Sequence, residues 1–239
     1  MPAQTAGISP SFGEGLTLQS GLGFLAVRDE FISQEKYTGS LPVYSISWSL
    51  FNDSYGLRLY LNYGHASNLK NYNVTSDIKQ SLLGISFLYP TGSISVFSKN
   101  MHFFLGPAAE MFTHNQIQNI SNFGAYDASA SAALYSVCLR TEAYYNIMYD
   151  LKMHASAQMS VLSIAKKTTA NLYSGTGTEN VILTPLAGFN SHLEINVLYR
   201  IAGSLYASAG YRFELAEISE WDYFISAEDQ FTASISYDF

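Results

Sequence analysis

Apolar residues recur at every second position along most of this sequence, and small polar residues, not charges, fill the places between them. In 182–199, Leu183, Ala187, Phe189, Leu193, Ile195, Val197 and Tyr199 share one parity, against Thr184, Gly188, Asn190, His192, Glu194 and Asn196. In 203–215, Leu205, Ala207, Ala209, Tyr211, Phe213 and Leu215 oppose Ser204, Ser208, Gly210, Arg212 and Glu214. In 41–51, Tyr44, Ile46, Trp48 and Leu50 oppose Ser45, Ser47 and Ser49. Period-2 alternation marks a strand with two unlike faces. It predicts ten strands, over 15–28, 41–51, 56–67, 78–89, 102–114, 129–145, 151–164, 182–199, 203–215 and 228–239. No linker or low-complexity run divides them, so residues 1–239 read as a single domain.

Two all-β architectures use such strands. A soluble sandwich or barrel turns its apolar face inward and needs a Lys/Glu-rich outer face. A transmembrane antiparallel up-and-down β-barrel turns its apolar face to lipid and lines its lumen with small polar residues. Charged residues make up only 13% of the chain, against roughly 25% in soluble domains, and the polar face is mostly Ser, Gly, Asn and Thr. Longer polar connections (29–40, 68–77, 115–128, 165–181, 216–227) alternate with shorter ones (52–55, 146–150, 200–202), as in membrane barrels. The stretch 90–101 holds either an extra hairpin or a strand extension. Phe51, Tyr89, Phe103, Tyr144, Tyr145, Tyr149, Tyr199 and Tyr237 gather near the short-turn ends, where an aromatic girdle belongs. The reading is a transmembrane barrel of about ten strands. Pro107 and Pro185 fall inside predicted strands and predict local breaks, because proline removes a ladder donor.

The formal net charge of −7 argues against a nucleic-acid partner. No apolar run reaches the length of a membrane helix. The opening "MPAQTAG" reads as a start Met placed before a mature N-terminus, which is compatible with a removed export signal and does not show one. The single cysteine, Cys138, has no disulfide partner and no companion for a metal site. No cofactor motif and no fixed metal-ligand spacing is present. The acidic stretch 217–230, with Glu217, Glu220, Asp222, Glu228 and Asp229, reads as a solvated loop. Lys70, Lys166 and Lys167 read as solvated external loop charges, with contact to lipopolysaccharide phosphates as the alternative.

The chain ends "FTASISYDF", with Phe231, Ala233, Ile235, Tyr237 and Phe239 on one face. This resembles the C-terminal signature of Gram-negative outer-membrane β-barrels. The resemblance implies an outer-membrane location, recognition by the barrel-assembly machinery, both termini in the periplasm with 1–14 as a periplasmic segment, and long loops outside.

With the apolar parity on lipid, Arg58, Glu110, Arg140, Glu142, Lys152, His154, His192, Glu194, Arg212 and Glu214 face the lumen. Pairing through the 146–150 turn sets Glu142 opposite His154, and pairing through 200–202 sets His192 opposite Arg212. Charges of both signs nearly balance, and about eight strands are just filled by side chains. A lumen sealed by ion pairs is the expectation; a narrow polar pore and a lumenal His–Glu dyad are the alternatives.

One further constellation carries chemistry. In "GLRLYLNYGHASN" (56–68), the lipid-facing parity of Leu57, Leu59, Leu61 and Tyr63 ends in His65 and Ser67. An imidazole two residues from a hydroxyl suits a base activating a nucleophile, and Asn68 offers an amide to an oxyanion. Asp77, across the following loop, would orient the imidazole. His-x-Ser-Asn resembles the active-site motif of the outer-membrane lipid A 3-O-deacylases, which implies His65 as base, Ser67 as nucleophile and Asn68 in the oxyanion role. At that family's spacing for the acidic residue stands Lys79, so Asp77 takes its place. The leading expectation is a non-enzymatic barrel with a mostly sealed lumen. It would be a surface-exposed structural, adhesive or partner-binding protein acting through its long loops amid membrane lipid and lipopolysaccharide. A lipid A-acting ester hydrolase is the alternative, and a narrow pore the third.

Overall fold

Strand-forming aromatic and β-branched residues at alternate positions build a wall whose two faces differ. The structure, a computed structural model, describes residues 14–30, 33–52, 54–71, 74–119, 128–171, 179–182, 187–219 and 223–239. Its strands are β1 (Glu14–Asp29), β2 (Ser33–Phe51), β3 (Gly56–Asn71), β4 (Val74–Val96), β5 (Lys99–Asn119), β6 (Ala128–Asn146), β7 (Leu151–Asn171), β8 (Glu179–Ile182), β9 (Gly188–Ala202), β10 (Leu205–Ile218) and β11 (Phe224–Asp238). Ten of them form a closed antiparallel barrel in sequence order, and β1 pairs with β11 to complete the wall. Closure removes the free sheet edges. The extra strand, β8, lies on Lys166–Thr169 of β7. No helix among the described residues is long and apolar enough to cross a membrane.

The wall strands outrun their predicted bounds at the end away from the termini, called here the loop end. β5 reaches Asn119, β7 reaches Asn171 and β10 reaches Ile218, so parts of the predicted loops are wall. The predicted strand 182–199 is really β8 and β9, separated by a segment in which Pro185 lies outside the described residues. At the other, turn end, 90–101 is a strand extension: β4 runs on to Val96, turns at Phe97 and Ser98, and returns as β5. Both turn residues have positive φ, 47° and 65°. At Pro107 the β4–β5 ladder loses its pairs at Phe87 and Leu88 but keeps its register, as expected where a backbone donor is missing. The strands press close here, because a Cβ on Gly106 would sit 2.0 Å from the Phe87 carbonyl oxygen.

Along the middle of the barrel the wall is apolar outside and polar inside. Leu18, Leu22, Ile46, Leu59, Leu61, Leu83, Ile85, Val137, Leu193, Ile195, Phe231 and Ile235 all stand exposed on the outer surface. The facing interior carries Asn62, Glu110, Arg140, His154, Gln158, His192, Arg212 and Gln230, all buried. A continuous exposed apolar belt of this kind is stable only against lipid.

Toward the loop end the polarity inverts on most strands, while β5 keeps His114, Gln116 and Gln118 inside and Ile117 outside. Inside, Leu25, Val27, Leu41, Val43, Ile78, Leu82, Phe112, Leu134, Ala165, Ala216, Ile218 and Phe224 form one buried apolar cluster. Outside, the same stretches present Lys36, Thr38, Ser40, Lys79 and Lys166. Apolar in and polar out is the pattern of a barrel wall in water. The inversion therefore marks where the lipid ends, and the strands beyond it project past the membrane. Each fully buried Leu, Ile or Phe contributes roughly 1.5–3 kcal/mol, so this plug holds the projecting rim together without lipid. A smaller cluster of Phe51, Leu88 and Phe104, with Tyr144 against it, fills part of the turn end. Phe51 and Tyr144 thus lie inside and are not girdle residues: they share the inward parity of Ser49 and Glu142. Tyr89, Tyr149, Tyr199 and Tyr237 do face outward.

Candidate functional site

Between the apolar plug and the turn end lies a polar storey built by β3, β5, β6, β7, β9 and β10. Glu142 is its hub. Its carboxylate accepts from Arg140 Nε at 2.6 Å and from the Tyr144 hydroxyl at 2.6 Å. It lies 3.4 Å from Arg58 Nε and 3.2 Å from His154 Nε2. Arg140 is 1% exposed. It reaches on to Gln158 Oε1 (3.2 Å), Ser156 Oγ (3.3 Å) and His192 Nε2 (2.9 Å), and its guanidinium lies 5.1 Å from the centre of the Tyr60 ring. Guanidinium can only donate, so His192 Nε2 accepts and the ring proton sits on Nδ1, 3.4 Å from Glu110 Oε1. Glu110 also accepts from the Tyr60 hydroxyl and from Asn190 Nδ2 at 2.8 Å. Arg212 Nη2 pairs with Glu214 at 2.5 Å, Lys152 lies 3.7 Å from Asp238, and Glu194 accepts from Asn196 at 2.6 Å. Arg58, Glu110, Arg140, Glu142, Lys152, His154, His192, Glu194, Arg212 and Glu214 therefore all point into the barrel.

The register departs from the expected one by two residues on both hairpins. Glu142 stands opposite Ser156, and Tyr144 opposite His154. Arg212 stands opposite Glu194, and Glu214 opposite His192. Each turn centres one residue later than read, with Gly203 at φ 53° leading the β9–β10 turn. Moving a turn by one residue shifts the pairing by two, which changes partners and preserves the face.

A cavity of about 150 Å³ opens from this storey toward the turn end. Hydroxyls of Thr17, Ser45, Ser47, Ser49, Ser208, Ser234 and Ser236 line one side, and Arg58, Lys152, His154 and Glu194 the other. Its inner end is lined by Tyr60, Asn62, Arg140, His192 and Arg212, with the apolar cluster beyond them.

On the outer surface, His65 and Ser67 face out at the top of β3, just beyond the belt residue Tyr63. His65 stands opposite Lys79. The β3–β4 ladder carries a bulge between Ala66 and Leu69, and Asp77 is the single β4 residue facing Ser67 and Asn68 across it. A bulge re-aims side chains and often lies beside a functional site. The Asn68 side chain lies outside the described residues. His114, on β5, points inward and is fully buried, with Gln80 and Gln116 beside its ring, so it takes no part in a surface site.

No family model matches the chain, and no curated protein matches it. Among solved structures, the outer membrane protease OmpT from Escherichia coli superposes with a TM-score of 0.60 at 9% identity, over 94% of this chain and 97% of that one. The fold is that of a bacterial outer-membrane β-barrel. The translocator domain of the autotransporter NalP from Neisseria meningitidis gives 0.52 at 9% identity, over 95% of this chain and 88% of that one. The β domain of the Bordetella autotransporter BrkA gives 0.50 at 12%, over 95% of this chain and the whole of that one. At these identities the likeness is one of fold.

In this outer-membrane barrel, Phe231, Ala233, Ile235, Tyr237 and Phe239 form the outward face of β11, and the Phe239 amide donates to the Glu14 carbonyl at 2.8 Å, tying the end of β11 to the start of β1. Two lumen features escape a reading of the charged residues alone. Lys167 is no surface charge: it is fully buried, with Nζ 2.8 Å from Asp29 Oδ1 across the plug. Glu228 is wall, not loop, and points inward opposite Glu214, its carboxylate in the space left by Gly23. Asp29 and Glu228 were hidden by strand bounds read at 28 and 228, and Lys167 by a bulge at Val161, beyond which the odd positions of β7 turn inward. Tyr60 was legible: it shares the parity of Arg58, and its partner Gly84 is small because a Cβ there would meet the Tyr60 ring at 2.2 Å.

Proposed function

We propose that this barrel is a sealed, non-enzymatic protein of the outer-membrane surface, acting as a structural, adhesive or partner-binding element through its loop end. The observation that carries this reading is the inversion of wall polarity. Strands that run past the lipid belt are filled with their own apolar core, which suits a stiff platform presenting loops. In this reading the termini lie in the periplasm and the loop end lies outside, among lipopolysaccharide. The assembly machinery is a partner during biogenesis, through the outward face of β11. The buried apolar cluster across the loop-end half of the lumen favours a sealed barrel over a pore. The test is adhesion of cells displaying the full chain to immobilised extracellular-matrix proteins, against variants trimmed within 121–126 or 173–177. Loss of adhesion on trimming is expected; equal adhesion by all three overturns the binding role.

The hydrolase reading is kept for one observation, the placement of Asp77 opposite the Ser67–Asn68 bulge with His65 on the same outer face. If it held, lipid A from cells making the protein would lose an acyl chain, and Ser67→Ala would restore it. The non-enzymatic reading predicts identical lipid A masses with and without the protein.

A further inference from the structure

The β4–β5 hairpin at the turn end has two faces of unlike chemistry. Ile94 pairs with Met101, and Met101 pairs with Tyr145 of β6, so all three lie on the outward face. That face continues the lipid belt through Phe103, Leu105 and Tyr89. The opposite face carries Ser93, Ser95, Asn100 and His102. At the tip Phe97 is 93% exposed, the most exposed large apolar residue described.

The tip is also conformationally costly. Two central residues with positive φ make a type I′ turn, which Asn-Gly normally occupies. A bulky aromatic in the left-handed region is an outlier, and such strain persists where a function holds it. Among the described residues no side chain covers it, and Phe97 stands almost wholly exposed. Yet the hairpin is not loosely attached. Lys99 Nζ donates to the Ile147 carbonyl at 2.6 Å, and the Tyr145 hydroxyl donates to the Val96 carbonyl at 2.9 Å. These bonds hold the hairpin against the β6–β7 turn, where Met148 and Tyr149 are themselves largely exposed. The ladder thus sets Ile94 in register with Met101 and Tyr145, with Phe97 beyond them at the turn.

We propose that hairpin 90–101 is a membrane-interface anchor, seating Ile94 and Phe97 in the phospholipid headgroup region of the turn-end leaflet. Interfaces of this kind favour aromatic rings next to an apolar belt. The proposal rests on the barrel spanning a bilayer and not on the role of its loop end. The face is continuous with the lipid belt, and that continuity selects lipid as its occupant over a protein partner.

The test uses the full chain carrying Cys138→Ala in phosphatidylcholine vesicles. Single cysteines, Ile94→Cys, Phe97→Cys and Ser95→Cys, each carry a bimane label. Labels at 94 and 97 are expected to be quenched at least twofold more by headgroup- and 5-doxyl-labelled lipid than the label at 95, and less by iodide. Equal iodide quenching at all three positions overturns the proposal. A second variant, Phe97→Asn with Ser98→Gly, restores an ordinary turn and leaves the wall intact. It is expected to release the label at 94 from lipid quenching while heat-modifiable gel mobility stays unchanged. Undiminished lipid quenching at 94 in that variant also overturns the anchor.

Discussion

Arg140→Ala should be among the most damaging single truncations in the lumen. The guanidinium is 1% exposed and is shared among Glu142, Gln158, Ser156 and His192. Breaking a buried ion pair by removing one partner typically costs about 3–5 kcal/mol. Here Glu142 keeps Arg58 at 3.4 Å and His154 at 3.2 Å, so the loss should fall near the low end, about 3 kcal/mol. That is roughly a hundredfold in the folding equilibrium. The assay is urea unfolding in lipid vesicles followed by tryptophan fluorescence, with a lower midpoint at unchanged slope. The control is Arg200→Ala, whose guanidinium meets Tyr206 and Tyr149 at the turn end and lies outside the network. If Arg140→Ala shifts the midpoint no more than Arg200→Ala, the polar storey does not act as a connected buried network.

The plug ion pair should behave as a unit: Lys167→Met alone should cost about 3–5 kcal/mol, and adding Asp29→Leu should restore most of it, because replacing a whole buried pair by apolar groups is often near neutral. A double variant as unstable as the single one would refute this in the same urea assay. Gly84→Ala should cost about 1–3 kcal/mol by overpacking against the Tyr60 ring. It should also disturb the near-ultraviolet circular dichroism, whereas an unchanged spectrum and midpoint would mean that Tyr60 has room to move.

Facing direction was far more legible than partner. Parity is preserved across a turn misplaced by one residue, so Arg58, Glu110, Arg140 and their neighbours can be assigned a common face without knowing any hairpin. Their partners need the turn itself, and at 142/154 and 192/212 one residue of error in the turn centre replaced the partner. The two storeys of the lumen were harder to read for a different reason. Alternation continues past the membrane boundary, but its sense reverses: Leu41 and Val43 share the inward parity of Ser45, Ser47 and Ser49. A scan that assigns one face to lipid for the whole strand cannot register a change of solvent along it. Asp29 was lost to a strand bound read at 28, and Lys167 to the bulge at Val161. For the His65–Ser67 stretch, the sequence showed the shared outer face, while the bulge that brings Asp77 opposite Ser67 is a property of the ladder.

The central claim is that the loop-end half of the lumen is closed by its own apolar core. Conductance of the purified barrel in planar lipid bilayers tests it most directly. The filled plug predicts a silent membrane over sustained voltage in both polarities. Discrete, reproducible single-channel steps from the unmodified protein would contradict it.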